Sequence, residues 1–137
     1  MAYVKHTAIH TTPKAHLKYI LNPEKNEEMK YVTGICCGDD LETAYDNFKE
    51  IFEKYNTEKF DDCELSKKSG KRHIRIHSYT QSFDSSVSPE EAHRIGVEWV
   101  KKVFGVNRPI IVSTHVNTNC VNHIAVCPYD LDGIRWH

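Results

Sequence analysis

No Cys-x-x-Cys pair occurs in the sequence, and the five cysteines (Cys36, Cys37, Cys63, Cys120 and Cys127) are odd in number with two of them adjacent. Neither a disulfide framework nor a zinc ribbon is therefore indicated, and most of the thiols read as reduced, small core residues. No charge of one sign dominates: 18 Lys and Arg stand against 19 Asp and Glu, a net charge of -1. No whole-chain field attracts a polyanion, so any nucleic-acid surface has to be a local patch. No apolar run is long enough for a membrane span, and the residues after Met1 lack the basic stretch and apolar core of a secretory signal, so a cytoplasmic protein is expected. A length of 137 residues leaves no room for a second core, and no repeat or low-complexity tract is present. The unusual abundance is histidine, nine in all, a side chain that combines metal-ligand chemistry with titration near neutral pH.

The pattern of apolar residues predicts the order β-α-β-α-β-α-β-β. Strands are expected over Tyr3 to His10, Lys30 to Cys37, Lys71 to Phe83, Arg108 to Val116 and His123 to Pro128. Thr12-Pro13 starts a short helix to about Leu21, with Thr12 as its cap. Asp39 or Asp40 opens a longer helix with a buried stripe of Leu41, Ala44, Phe48, Ile51, Phe52 and Tyr55. Ser88-Pro89-Glu90-Glu91 is a capping box for a third helix that Gly105 ends. Asn56 to Gly70 reads as a polar loop, and Leu131 to His137 as a turn leading into a further strand. The expected fold is α+β: a single, mainly antiparallel sheet of about five strands, with its helices packed on one face and the other face free for chemistry.

His115 ends one strand and His123 begins the next, so antiparallel pairing would bring the two imidazoles together at one end of the sheet. Counting by twos places His123 with Ala125 and Cys127, and His77 with His73 and Tyr79. If its strand lies adjacent, His77 approaches the same spot. Such a cluster either binds a divalent ion with open coordination positions, suited to phosphoryl chemistry, or is a set of separate surface histidines. The basic run Lys67, Lys68, Lys71 and Arg72 either tracks phosphates or is a solvated loop, and an exposed Tyr79 or His73 could stack on a splayed base.

Three stretches stand out together: Tyr19-Ile20-Leu21-Asn22-Pro23-Glu24-Lys25; His77 to Phe83 followed by Ser88-Pro89-Glu90-Glu91-Ala92-His93; and Thr114-His115-Val116-Asn117 through Asn122-His123-Ile124-Ala125-Val126. They resemble the relaxase/mobilization nucleases of conjugative plasmids and integrative elements, in the HUH endonuclease superfamily, over about His16 to Arg135. The resemblance implies a DNA relaxase domain spanning 1–137, expected to be the N-terminal part of a longer protein. It implies Tyr19 as nucleophile on single-stranded DNA at an origin of transfer, and His115 and His123 as ligands of a divalent ion, magnesium or manganese before zinc. Accessory mobilization proteins are possible partners, and no membrane is.

The third stretch departs from the family's His-Asn-His pattern, because Val121 stands where the middle histidine belongs. Two of three ligands remain, and His77, Asn122 or Cys120 is the candidate to move in. Two further readings stay open beside the nuclease: a non-catalytic single-strand DNA-binding module with a degenerate metal site, and an unrelated metal-dependent hydrolase.

Overall fold

The computed structural model describes residues 3–61, 73–116 and 119–136. Five strands, β1 (Tyr3–Ile9), β2 (Val32–Ile35), β3 (Ile76–Ser82), β4 (Ile110–His115) and β5 (Val121–Val126), form one sheet in the order β1-β3-β5-β4-β2, every pair antiparallel. Three helices, α1 (Pro13–Ile20), α2 (Leu41–Tyr55) and α3 (Pro89–Phe104), complete an α+β fold. The element order and the antiparallel five-stranded sheet are as expected from the sequence.

The distribution of the helices is different. Register puts Ile111 of β4 opposite Ala125 of β5, and both pack with Leu17 and Ile20 of α1 and with Phe48 and Phe52 of α2. Ile110, Val112, Ile124 and Val126 point the other way and pack under Val97, Trp99, Val100 and Phe104 of α3. Both faces are thus apolar at the centre of the sheet, and the central strands read as nearly continuous hydrophobic runs because helices cover both sides. The expected free face does not exist as a whole. What stays open on the α1 and α2 side is the outer part of the sheet, over β1 and β3, where Tyr3, Lys5 and Thr7 are exposed.

Local chemistry sets the helix ends. The Asp40 side chain accepts from the Thr43 N–H at 2.8 Å, and the Ser88 hydroxyl accepts from the Glu91 N–H at 3.2 Å. The Glu91 carboxylate turns to Arg94 rather than back to Ser88, so the box is half closed. Thr12 does not cap α1: its backbone is left-handed, with φ of 50°, and its hydroxyl bonds the Thr11 carbonyl. β2 is shorter than expected: Lys30 and Tyr31 still belong to the turn that precedes it, and Cys36, at a φ of 56°, ends the extended backbone after Ile35. After Leu131 the chain turns and makes a single bridge, Tyr129 with Arg135, instead of a strand. The basic run Lys67, Lys68, Lys71 and Arg72 lies outside the described residues, as does Cys63. Cys120 and Cys127 are buried, and burial pushes the Cys127 thiol up to about 12, so it is inert, as read from the sequence.

Candidate active site

α1 is short, and its placement follows from which residues it buries. Leu17 and Ile20 enter the core fully, which leaves Tyr19 on the rim, 51% exposed. The Asn22-Pro23-Glu24-Lys25 turn then fastens the helix to the sheet. The Asn22 side chain accepts from the Glu24 N–H at 3.0 Å, the Lys25 carbonyl accepts from the Val116 N–H at 2.9 Å, and the buried Asn26 amide donates to the Ser113 hydroxyl at 3.2 Å. Asn22 to Asn26 is a buckle between the end of α1 and the end of β4, and it fixes where Tyr19 hangs.

Tyr19 hangs over the two histidines. Ser113 pairs with His123 and His115 with Val121, so His115 and His123 are diagonal neighbours on one face. Their rings stack with centroids 4.0 Å apart, and the Tyr19 ring meets them edge-on at 5.8 Å from His115 and 5.5 Å from His123. The His115 Nε2–H donates to the Ile20 carbonyl at 2.9 Å. Because a carbonyl only accepts, that bond fixes the tautomer and leaves Nδ1 as the free lone pair.

Burial holds His115 below its ordinary range, and burial with His115 and His16 nearby pushes His123 down to about 4. Both rings are neutral at physiological pH, the form a metal ion needs. The donor set therefore suits a divalent ion in kind but is short in number. Among the described residues, no three His, Cys, Asp or Glu side chains already surround one point.

The other residues considered from sequence sit elsewhere. β3 is in antiparallel register with β5 such that Thr80 opposes His123 and His77 opposes Val126. His77 is therefore on the α3 side, where its Nδ1 bonds His6 Nε2 at 3.0 Å. Tyr79 shares that face and packs edge-on against Trp99 and tilted against Phe104, so it is a core aromatic and not a stacking platform on the Tyr19 side. Cys120 packs with Phe83 and Ala92, and Asn122 is buried with its amide on Gln81 and the Ala92 carbonyl. None of His77, Asn122 or Cys120 reaches the imidazole pair.

His77 has its own consequence. Its burial, reinforced by His6, Arg108 and Arg135, lowers it from the ordinary 6.5 to about 4. A neutral imidazole in the folded state and a protonatable one in the unfolded state give stability that is complete above pH 6.5 and lost as pH falls toward 4. The loss from this residue is about 3 kcal/mol. Urea unfolding of the wild type and His77→Asn at pH 7 and pH 4 should show their stability difference changing by that amount. An unchanged difference refutes the assignment.

The motif residues on the α3 side form a polar clamp. His93 of α3 bonds the Thr33 hydroxyl at 2.7 Å and the Thr114 hydroxyl at 2.8 Å, Thr114 donates to Asn122 at 2.5 Å, and Asn122 donates to Gln81 at 3.0 Å. The Gln-Ser-Phe strand and the Pro-Glu-Glu-Ala-His helix thus hold α3 to β2, β4, β5 and β3, on the face of the sheet away from Tyr19.

Two residues escaped the sequence reading. His16 lies one helical turn before Tyr19 on α1, half-buried, with its Nε2 buried and unpartnered. The i, i+3 spacing to Tyr19 was the available signal. Lys5 escaped because its place depends on register: it opposes Thr80, which in turn opposes His123.

A sequence search among curated proteins finds no match. The family model described as relaxase, MobA/VirD2-like, nuclease domain matches residues 19–137, beginning at Tyr19 and taking in the buckle, the α3 clamp and the histidine strands, and on that match the chain belongs to the MobA/VirD2-like relaxase family.

Proposed function

We propose that this relaxase domain cuts one strand of single-stranded DNA at an origin of transfer by tyrosine transesterification, in the service of conjugative mobilization. The observation that supports it is the half-exposed Tyr19 ring held edge-on above two stacked, neutral imidazoles. The Tyr19 hydroxyl oxygen forms a bond to phosphorus, and the bond from phosphorus to the 3′-oxygen breaks. The leaving oxygen takes a proton to become a 3′-hydroxyl, the phenolic proton passes to solvent, and the 5′-phosphate stays on the protein as a phosphodiester. Because bond order is conserved, the same step runs backwards to reseal the strand.

A divalent ion held by His115 and His123, magnesium or manganese before zinc, would draw charge from the non-bridging phosphate oxygens and orient phosphorus for in-line attack. The protein's own part is positional. The Ile20 carbonyl fixes the His115 ring, the buckle fixes Tyr19, and Leu17 and Ile20 root α1 in the core with Ile111. The test is a 5′- and 3′-labelled oligonucleotide carrying the element's own origin. Covalent transfer of the 5′-phosphate to the protein supports the reading, and retardation without cleavage leaves the non-catalytic binder.

The register of β1, β3 and β5 supports one route for the bound strand. Lys5, Thr80 and His123 form one row across the open sheet, and Tyr3, Ser82 and Val121 the next. A phosphate track from His123 outward would thus meet Thr80 and then Lys5, with exposed Tyr3 available to a base. Lys5→Glu is expected to weaken single-strand binding about tenfold in low salt and to reduce the salt slope by about one charge. Lys102→Glu, exposed on α3 across the sheet, should leave both unchanged. Fluorescence anisotropy across a salt series measures the two variants, and equal effects would remove the track.

A further inference from the structure

Val121 directly opposes His115 and stands two residues before His123 on the same face, so it puts an apolar side chain beside the two imidazoles. The side chains considered from sequence as a third ligand all point elsewhere. On the opposite wall, α1 carries His16 one turn before Tyr19, whose ring touches both strand histidines. His16 acts electrostatically on His123. Its Nε2 is shut off from solvent and has no hydrogen-bond partner. A buried imidazole nitrogen without a partner is costly in a folded protein, and this one belongs to a ring one helical turn from Tyr19, whose own ring meets both strand histidines.

We infer that His16 is the third nitrogen donor of this site, so that a divalent transition-metal ion is held between α1 and the sheet by His16, His115 and His123. The inference rests on the reading of His115 and His123 as ligands. It replaces a set drawn wholly from β4 and β5 by one shared with the helix that bears the nucleophile. Closing the set requires His16 to turn its ring toward the strand pair, and no hydrogen bond at Nε2 holds the ring where it is. Ion binding would then also seat α1, and with it Tyr19, against β5. Three imidazoles form a set suited to borderline ions such as cobalt, nickel or zinc, with positions left for phosphate oxygens.

Cobalt(II) alone is the probe, read by its visible absorption and by isothermal titration on the 137-residue chain, with no DNA present. The wild type is expected to bind one equivalent, and His16→Ala to lose at least about tenfold in affinity while keeping its circular dichroism. Val121→His in the His16→Ala background should restore binding, because an imidazole at 121 joins the strand pair on the same face. Equal affinity of the wild type and His16→Ala overturns the inference. So does a loss that Val121→His fails to repair, since that loss would be a disturbed helix and not a missing donor. A wild-type chain that binds cobalt through His16 yet never attaches to origin DNA would refute the nicking reading and leave this one standing.

Discussion

Tyr19→Phe is expected to abolish covalent attachment of the protein to single-stranded origin DNA, a fall of about a thousandfold or more in the rate of adduct formation. The substitution deletes one oxygen and keeps the ring, so the edge contacts with His115 and His123 persist. Because the side chain is 51% exposed and lies outside the core formed by Leu17 and Ile20, stability should move by less than about 0.5 kcal/mol. The phenylalanine variant should therefore bind the oligonucleotide with wild-type affinity and melt at the wild-type temperature. A denaturing gel of a labelled oligonucleotide separates the three readings. A transesterase loses both cleavage and the protein-bound label, a hydrolase that activates water retains cleavage, and a binding module shows neither in either protein. Retained cleavage in Tyr19→Phe would end the proposal that this tyrosine is the nucleophile.

The two histidines were legible because their argument is local. A strand that ends in His115 and one that holds His123, joined by a short connection, bring the side chains together once the strands pair, and the alternation within each strand fixes their common face. What could not be read is any quantity that depends on how distant strands align. His77 and His123 lie in different parts of the chain, and the pairing of His77 with Val126 instead of Ala125 sends it to the far face. One step of register reverses every side chain of a strand, and nothing local in Ile76 to Ser82 announces that step. Tyr79 was misplaced for the same reason.

The helices failed differently. Ile111 and Ala125 on the histidine face are as apolar as Val112 and Ile124 behind them, a two-sided pattern that signals two covered faces. The polarity of His115 and His123 masked that pattern at the ends of β4 and β5. His16 was within reach of the sequence through its spacing to Tyr19, but only the buried, unpartnered nitrogen distinguishes it from an ordinary helix-surface histidine.

Gly96→Ala carries the largest expected loss of stability, and the reason lies in the clamp beneath α3. A Cβ at position 96 would sit 2.4 Å from Asn122 Nδ2, 3.0 Å from its Cγ and 3.2 Å from Val112 Cγ1. Asn122 cannot swing aside at little cost, since it is fully buried and its amide is held by Gln81, the Ala92 carbonyl and the Thr114 hydroxyl. Overpacking together with broken buried hydrogen bonds should cost about 4 kcal/mol, enough to lower Tm by about 10 °C. Asn122→Ala should cost about 3 kcal/mol by opening a gap and orphaning its partners.

The decisive measurement is the double variant. Removing the Asn122 amide removes most of what the new methyl strikes, so Gly96→Ala/Asn122→Ala should be more stable than the two single losses summed, by about 2 kcal/mol. Additive losses in urea unfolding would mean that the close approach of α3 to Asn122 is not what requires glycine at 96. Because Asn122 lies next to His123 in β5 but points to the opposite face, cobalt affinity of the folded fraction should change little in either variant, which separates what holds the sheet to α3 from what works beneath Tyr19.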